Sequence, residues 1–323
     1  MSKKSLQIAK NNQCDEFYTK YETVAAEIPF YEEYLRNRVV YCNCDNPKFS
    51  NVWRYLSDNF TKLGLKKLIA TYYDKTSHSY KTEKYISKNG NVRTRKTPLK
   101  GNGDYASPEC LRILDLCDVV ITNPMWSSAS EFIKTIYDHN KKFLVLGNQN
   151  VLTDKKLMDH LINQEIFIGV SIHKGGTEFV IPDEYPQIGK TARIDTEGKR
   201  CVSVTSTRWI TNLNHNHFPD PLKMHTSRWN LKNVSKLQRK LLDAYGTSKY
   251  PKYDNENAIE VPFSDCIPSD RRSKFGVPIS FLDKYNPAQF EIVGVRKGKD
   301  GKDLSINGVT PYFRLLIQRK EVA

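Results

Sequence analysis

The sequence contains no run of 18 consecutive apolar residues, which excludes a membrane-spanning helix. It opens Met1-Ser2-Lys3-Lys4 with no apolar segment behind, so no secretory leader is expected. Cysteine is sparse and odd in number, seven residues between Cys14 and Cys266, which argues for reduced thiols in the cytoplasm and against a disulfide framework. The Cys42/Cys44 pair has no second Cys or His pair at metal spacing, so no metal is expected. Internal repeats and long low-complexity tracts are absent. What is present suits a globular protein of one large or two ordinary domains: 323 residues, 39% hydrophobic and 27% charged. Lys+Arg of 50 against Asp+Glu of 36 leaves a net charge of +14, which points to a polyanionic partner such as nucleic acid.

Hydrophobic periodicity alternates between strands and amphipathic helices. Glu22 to Leu35 reads as one helix with Val24, Ile28, Tyr31 and Leu35 on a stripe. Val39–Cys42 reads as a buried strand, followed by a helix that Ser50 caps and Gly64 ends. Further strands are expected at Leu68–Tyr73, Asp118–Thr122, Phe143–Gly147 and Ile166–Val170. Strands spaced by helices predict an α/β domain with a mainly parallel sheet, whose ligands bind at the carboxyl ends of the strands. Two stretches depart from this pattern. Lys75 to Lys100 carries eight basic residues against Glu83 alone, with an Asn89-Gly90 hairpin signal at its centre. Beyond about Asn214 the alternation fades, and positive charge per residue doubles. A domain boundary is therefore placed near Leu213, giving 1–213 and 214–323.

The sharpest motif is Thr122-Asn123-Pro124-Met125-Trp126, directly after a buried strand. An Asn side-chain oxygen and the following carbonyl can accept both hydrogens of one amino group, while an aromatic three residues on can stack on a planar base. Such acceptors stabilise the positive charge that develops when an exocyclic amine attacks an electrophile. Cys42-Asn43-Cys44-Asp45 sits where a nucleotide loop belongs but has no glycine, so it fails the dinucleotide fingerprint. Asp74, at the end of the second strand, is placed to accept bonds from a ribose. Gly101-Asn102-Gly103-Asp104-Tyr105 is a small-residue turn suited to holding an adenine ring.

Taken in order, these pieces resemble the S-adenosylmethionine-dependent amino-methyltransferases, and most closely the EcoRI-type adenine-specific DNA methyltransferases. The resemblance rests on Asp15-Glu16-Phe17-Tyr18-Thr19, Val39 to Asp45, Leu63 to Ile69, Gly103-Asp104-Tyr105 and Val120 to Pro124. It continues in Lys141 to Leu144, Gly147 to Asn150, Tyr250 to Asn255, and Gly276 to Pro287. Residues 75–100 and 185–240 are much less alike. The resemblance implies a Rossmann-like sheet of about seven mostly parallel strands with a C-terminal target-recognition region. It implies S-adenosylmethionine as cofactor, held by Tyr18, Thr19, Cys42, Asn43, Asp45, Asp104 and Tyr105, with Asp74 added by position alone. Asn123 and Pro124 would accept the amino hydrogens of a flipped-out adenine, and Trp126 would stack on it. The family's tetrapeptide is Asn-Pro-Pro-aromatic, and Met125 replaces its second proline.

The expected activity is site-specific adenine-N6 methylation of double-stranded DNA, at an AATT-containing site by resemblance. It would belong to a cytoplasmic enzyme of bacterial or phage origin, either orphan or paired with a restriction endonuclease, and monomeric or weakly dimeric. Arg271, Arg272, Lys274, Arg296 and Lys297, together with Arg314, are the candidate DNA contacts, and the 75–100 hairpin is a candidate clamp. Three alternatives stay open. The acceptor could instead be cytosine N4, RNA or a protein glutamine. Met125 could make the chain a catalytically weak or silent DNA-binding protein. A nucleotide-using oxidoreductase is disfavoured by the missing glycines.

Overall fold

The computed structural model describes residues 17–74, 79–173, 175–182 and 192–320. Asp15, Glu16 and Lys75 lie outside them. Two compact units divide the chain: Met1–Val151 with Ile166–His215, and Leu152–Glu165 with Asn216–Ala323.

The first unit carries two sheets. Its strands are β1 (Tyr18–Thr19), β2 (Val39–Cys42), β3 (Lys67–Tyr72), β4 (Tyr80–Ile86), β5 (Val92–Pro98), β6 (Val119–Thr122), β7 (Lys142–Asn148), β8 (Phe167–Ile168), β9 (Thr177–Val180), β10 (Ala192–Ile194), β11 (Arg200–Val204) and β12 (Thr207–Thr211). The larger sheet has eight of them in the order β5-β4-β3-β2-β6-β7-β12-β8. The four central strands β3-β2-β6-β7 are parallel, with Val40 facing Leu68 on one side and Val119 on the other. Their apolar runs are covered on both faces, as a parallel core requires.

The expectation of a mostly parallel sheet of about seven strands is corrected. Only the centre is parallel, and both flanks are antiparallel. On one flank the Asn89-Gly90 turn, with Gly90 at φ +79°, returns the chain without a crossover helix. On the other, β12 folds back along β7, and the short β8 pairs with it. The expected strand Ile166–Val170 shrinks to Phe167–Ile168, with Gly169 still donating to the Trp209 carbonyl of β12, because Val170 and Ser171 beyond it donate instead to the buried Glu27 carboxylate.

The smaller sheet is antiparallel and runs β1-β9-β11-β10. The expected helix Glu22–Leu35 is broken at Pro29 into Tyr21–Glu27, a 3-10 turn and Glu32–Leu35. Its stripe Val24, Ile28, Tyr31 and Leu35 is nonetheless fully buried. Ser50 caps helix Asn51–Asp58 by accepting from the Val52 and Trp53 N–H groups.

The second unit carries β13 (Ala258–Glu260), β14 (Lys274–Pro278), β15 (Phe290–Val295) and β16 (Arg314–Arg319), ordered β13-β14-β16-β15, with helix Lys155–Ile162 against β15. At its centre Arg314 is clamped on the fully buried Glu260 at 2.7–3.0 Å, and Tyr245 and Tyr253 also donate to that carboxylate. Arg314 is therefore a core ion-pair partner, which corrects its expected role as a DNA contact.

Candidate active site

In the first unit, the chain turns to one side of β2 to make β3 and to the other to make β6. This reversal opens a crevice beyond the carboxyl ends of the three strands. A cleft of about 290 Å³ occupies it. Asn43 to Asn46 contribute from the end of β2, Tyr72 and Tyr73 from β3, and Asn123 to Met125 from β6. Phe17, Tyr18 and Thr19 close one side, and Gly103, Asp104 and Tyr105 another. Gly103 is required by the close approach of its loop, since a Cβ there, at φ +78°, would lie 2.4 Å from the Tyr72 carbonyl oxygen.

Asp45 organises the floor. Ser50 Oγ donates to its Oδ1 at 2.5 Å, Thr122 Oγ1 donates to its Oδ2 at 2.5 Å, and the Asn123 N–H donates to it as well. Thr122 Oγ1 in turn accepts from the Cys44 N–H at 3.2 Å. One carboxylate thus ties the loop after β2, the cap of the following helix and the loop after β6. No cation among the described residues compensates it, so burial pushes its pKa up to about 6 against the pull of those donors.

Asn123 donates through Nδ2 to the Phe17 carbonyl at 2.5 Å, while its Oδ1 has no hydrogen-bond partner among the described residues. Thr19 Oγ1 and Asn43 Oδ1 are buried and without partner in the same way. Three unsatisfied buried oxygens on one cleft are costly unless a ligand's donors reach them.

Of the residues expected from sequence, the cleft gathers Tyr18, Thr19, Asn43, Asp45, Asp104, Tyr105, Asn123 and Pro124. Three others stand off it. Cys42 is wholly buried as the last residue of β2, with its thiol pushed well up by desolvation. Asp74 donates its N–H to the Asn102 carbonyl beside the cleft. Trp126 is 7% exposed, stacked on Phe17 at 4.8 Å and edge-on to Phe179 at 5.3 Å, so its ring is engaged in the core and does not line the cleft. The cleft is also lined by Phe49, Tyr72, Tyr73 and Met125, to which the sequence reading gave no binding role. The rule that sites follow strand ends already pointed at Tyr73, whereas Phe49, 64% exposed, carried no signal.

The candidate DNA contacts in the second unit are mostly neutralised. Lys274 pairs with Glu256 at 3.3 Å, and Arg296 and Lys297 share Asp303. Arg271 and Arg272 are exposed.

The family model for adenine-specific methyltransferase EcoRI matches residues 5–320. The chain belongs to that family. It is 38% identical to the type II methyltransferase M.EcoRI of Escherichia coli, over 99% of this chain and 97% of that protein. It is 30% identical to the type II methyltransferase M.MgeORF184P of Mycoplasma genitalium, over 97% of each. With M.MpnI of Mycoplasma pneumoniae it shares 32% identity, over 88% of this chain and 82% of that one. No solved structure matches the chain. Membership in the family makes the protein an adenine-specific methyltransferase. Among the described residues no helix is long and apolar enough to cross a membrane.

Proposed function

We propose that the protein methylates the N6 amino group of a specific adenine in duplex DNA, with S-adenosylmethionine as donor and an AATT-containing target. The observation that carries this reading is the trio of unpartnered buried oxygens, Thr19 Oγ1, Asn43 Oδ1 and Asn123 Oδ1, on one aromatic-walled cleft. Such a set of acceptors fits S-adenosylmethionine, whose ammonium, hydroxyl and adenine amino groups are hydrogen-bond donors. Thr19 and Asn43, with Asp104 and Tyr105 opposite, would hold it. When bound, the cofactor supplies an electrophilic methyl group.

The protein's own work is orientation and charge stabilisation. The Asn123 amide is fixed by its bond to the Phe17 carbonyl, which leaves Oδ1 as the acceptor for one amino hydrogen. The Pro124 carbonyl takes the second. With both hydrogens held, the nitrogen lone pair is drawn out of conjugation, and the positive charge that grows on it meets prepositioned oxygens. The target base must leave the helix to reach these atoms, at a cost of about a few kcal/mol.

Met125 does not undo this arrangement. Its φ is −57°, within the range a proline ring would impose, and no described residue accepts its N–H. The turn therefore has a backbone that a proline at position 125 could also adopt, which supports an active enzyme over a silent one.

The test is methyl transfer from labelled S-adenosylmethionine to unmethylated genomic DNA, followed by nucleoside analysis. N6-methyladenine is expected, while N4-methylcytosine as sole product would replace the acceptor assignment. Asn123→Ala should lower kcat by at least ~10²-fold, the cost of deleting one such group, with cofactor and DNA affinity retained.

A further inference from the structure

Helices Ser227–Asn233 and Ser235–Tyr245 of the second unit are joined through Val234. Between them they carry Arg228, Lys232, Lys236, Arg239 and Lys240 against the single acid Asp243. Thr226 caps the first helix by accepting from the Trp229 N–H. Asn230, Leu237 and Leu241 are fully buried, and Asn230 Nδ2 donates to the Cys266 carbonyl at 3.1 Å. These inward residues fix which faces point out, and the outward faces hold the cations.

The cations here differ from Lys274, Arg296 and Lys297 of the same unit. Lys274, Arg296 and Lys297 are met by Glu256 and Asp303, yet Arg228, Lys232, Arg239 and Lys240 are exposed with no acidic partner among the described residues. Arg228 and Lys232, and likewise Lys236 and Lys240, stand four residues apart, where like charges repel along a helix. Beside them Trp229 is 43% exposed, and its indole stacks on His225 at 3.7 Å and 20°. A large aromatic left in water among uncompensated cations is unfavourable in the free protein and is relieved when a polyanion covers it.

We infer that this helix pair is a DNA-binding surface: Arg228, Lys232, Arg239 and Lys240 contact backbone phosphates, and Trp229 packs against a sugar or base. The inference rests on duplex DNA being the substrate. Charge complementarity selects the partner, because phosphates supply the negative charge that the unit's own acids withhold here.

The experiment uses the full chain with Arg228→Gln/Lys232→Gln, Arg239→Gln/Lys240→Gln, the combined quadruple variant, and Trp229→Ala. Affinity for a duplex oligonucleotide is measured between about 50 and 200 mM salt, alongside S-adenosylmethionine affinity and kcat at saturating DNA. Removing one phosphate-binding cation should reduce the slope of log affinity against log salt by about 0.9, so each double variant should reduce it by nearly 2. Trp229→Ala should weaken binding roughly tenfold, as removal of a stacking ring does. Cofactor affinity and kcat should stay at the parent values. A quadruple variant with the parent's salt slope overturns the inference, as does a fall in affinity that is independent of salt. Failure of the parent itself to bind or methylate DNA would overturn the substrate reading, whereas parent activity with unaltered variants would remove only the helix pair.

Discussion

Two of the buried carboxylates, Asp45 in the first unit and Glu260 in the second, are treated in opposite ways. Glu260, in the second unit, is met by a full positive charge from Arg314 and by two tyrosine hydroxyls. Asp45, in the first, meets only neutral donors: two hydroxyls and a backbone N–H. A matched ion pair leaves no unpaired charge behind and serves the packing of a sheet. An unmatched carboxylate keeps a proton within reach of neutral pH and serves a different purpose, holding two loops that carry Asn43 and Asn123. Between these two groups, electrostatic imbalance goes with the site and electrostatic balance with the scaffold.

The largest expected effect lies on the scaffold side. Arg314→Ala should destabilise the protein by about 3–5 kcal/mol in urea titration, because it strands the Glu260 charge in the core. Methylation per folded molecule should hold; a loss of kcat without a loss of stability would contradict the contrast. Asp45→Ala should cost less, about 1–3 kcal/mol for the donors left unsatisfied, yet reduce kcat more than tenfold as the loop after β6 loosens. Equal stability losses with unchanged kcat would place Asp45 on the scaffold side instead.

The pH dependence bears on the same difference. Between the ordinary value of 3.8 and about 6 the native state holds a proton on Asp45 that the unfolded chain has released. Stability from this group therefore falls as pH rises through that window and is flat above it. Catalysis runs the other way, since only the ionised carboxylate accepts all three donors, so kcat should drop as pH falls below about 6. An Asp45→Asn variant should lack this acid limb in its pH–rate profile; a limb that persists would assign it to another group. The smallest effect is expected for Met125→Pro, which should leave kcat within about twofold and add at most about 1 kcal/mol of stability, because the native φ already suits the ring.

What the sequence disclosed was local. The strand–loop junctions after Cys42 and Thr122, the Ser50 cap and the Asn89-Gly90 turn all depend on neighbours within a few residues. Contacts across long separations were hidden. Trp126 sits where a stacking aromatic belongs, but Phe17, more than a hundred residues earlier, takes its face. Cys42 ends its strand buried in the core, one residue before the chain turns into the cleft. Arg314 and Glu260 are separated by 54 residues, and nothing near Arg314 announces the pairing. The basic residues at 228–240 were visible as composition, whereas their lack of acidic partners is a property of the folded surface alone.

The second unit is also discontinuous. Its helix Lys155–Ile162 packs on β15, whose first residue follows about 130 positions later. At ribosomal speeds of about 5–20 residues per second, that helix waits on the order of ten seconds with Leu157 and Leu161 uncovered. A fragment beginning at Asn216 would never receive it at all. Biosynthesis of this protein therefore has a vulnerable interval between the emergence of Ile162 and that of Phe290, during which the nascent chain presents the apolar face of this amphipathic helix to chaperones and proteases.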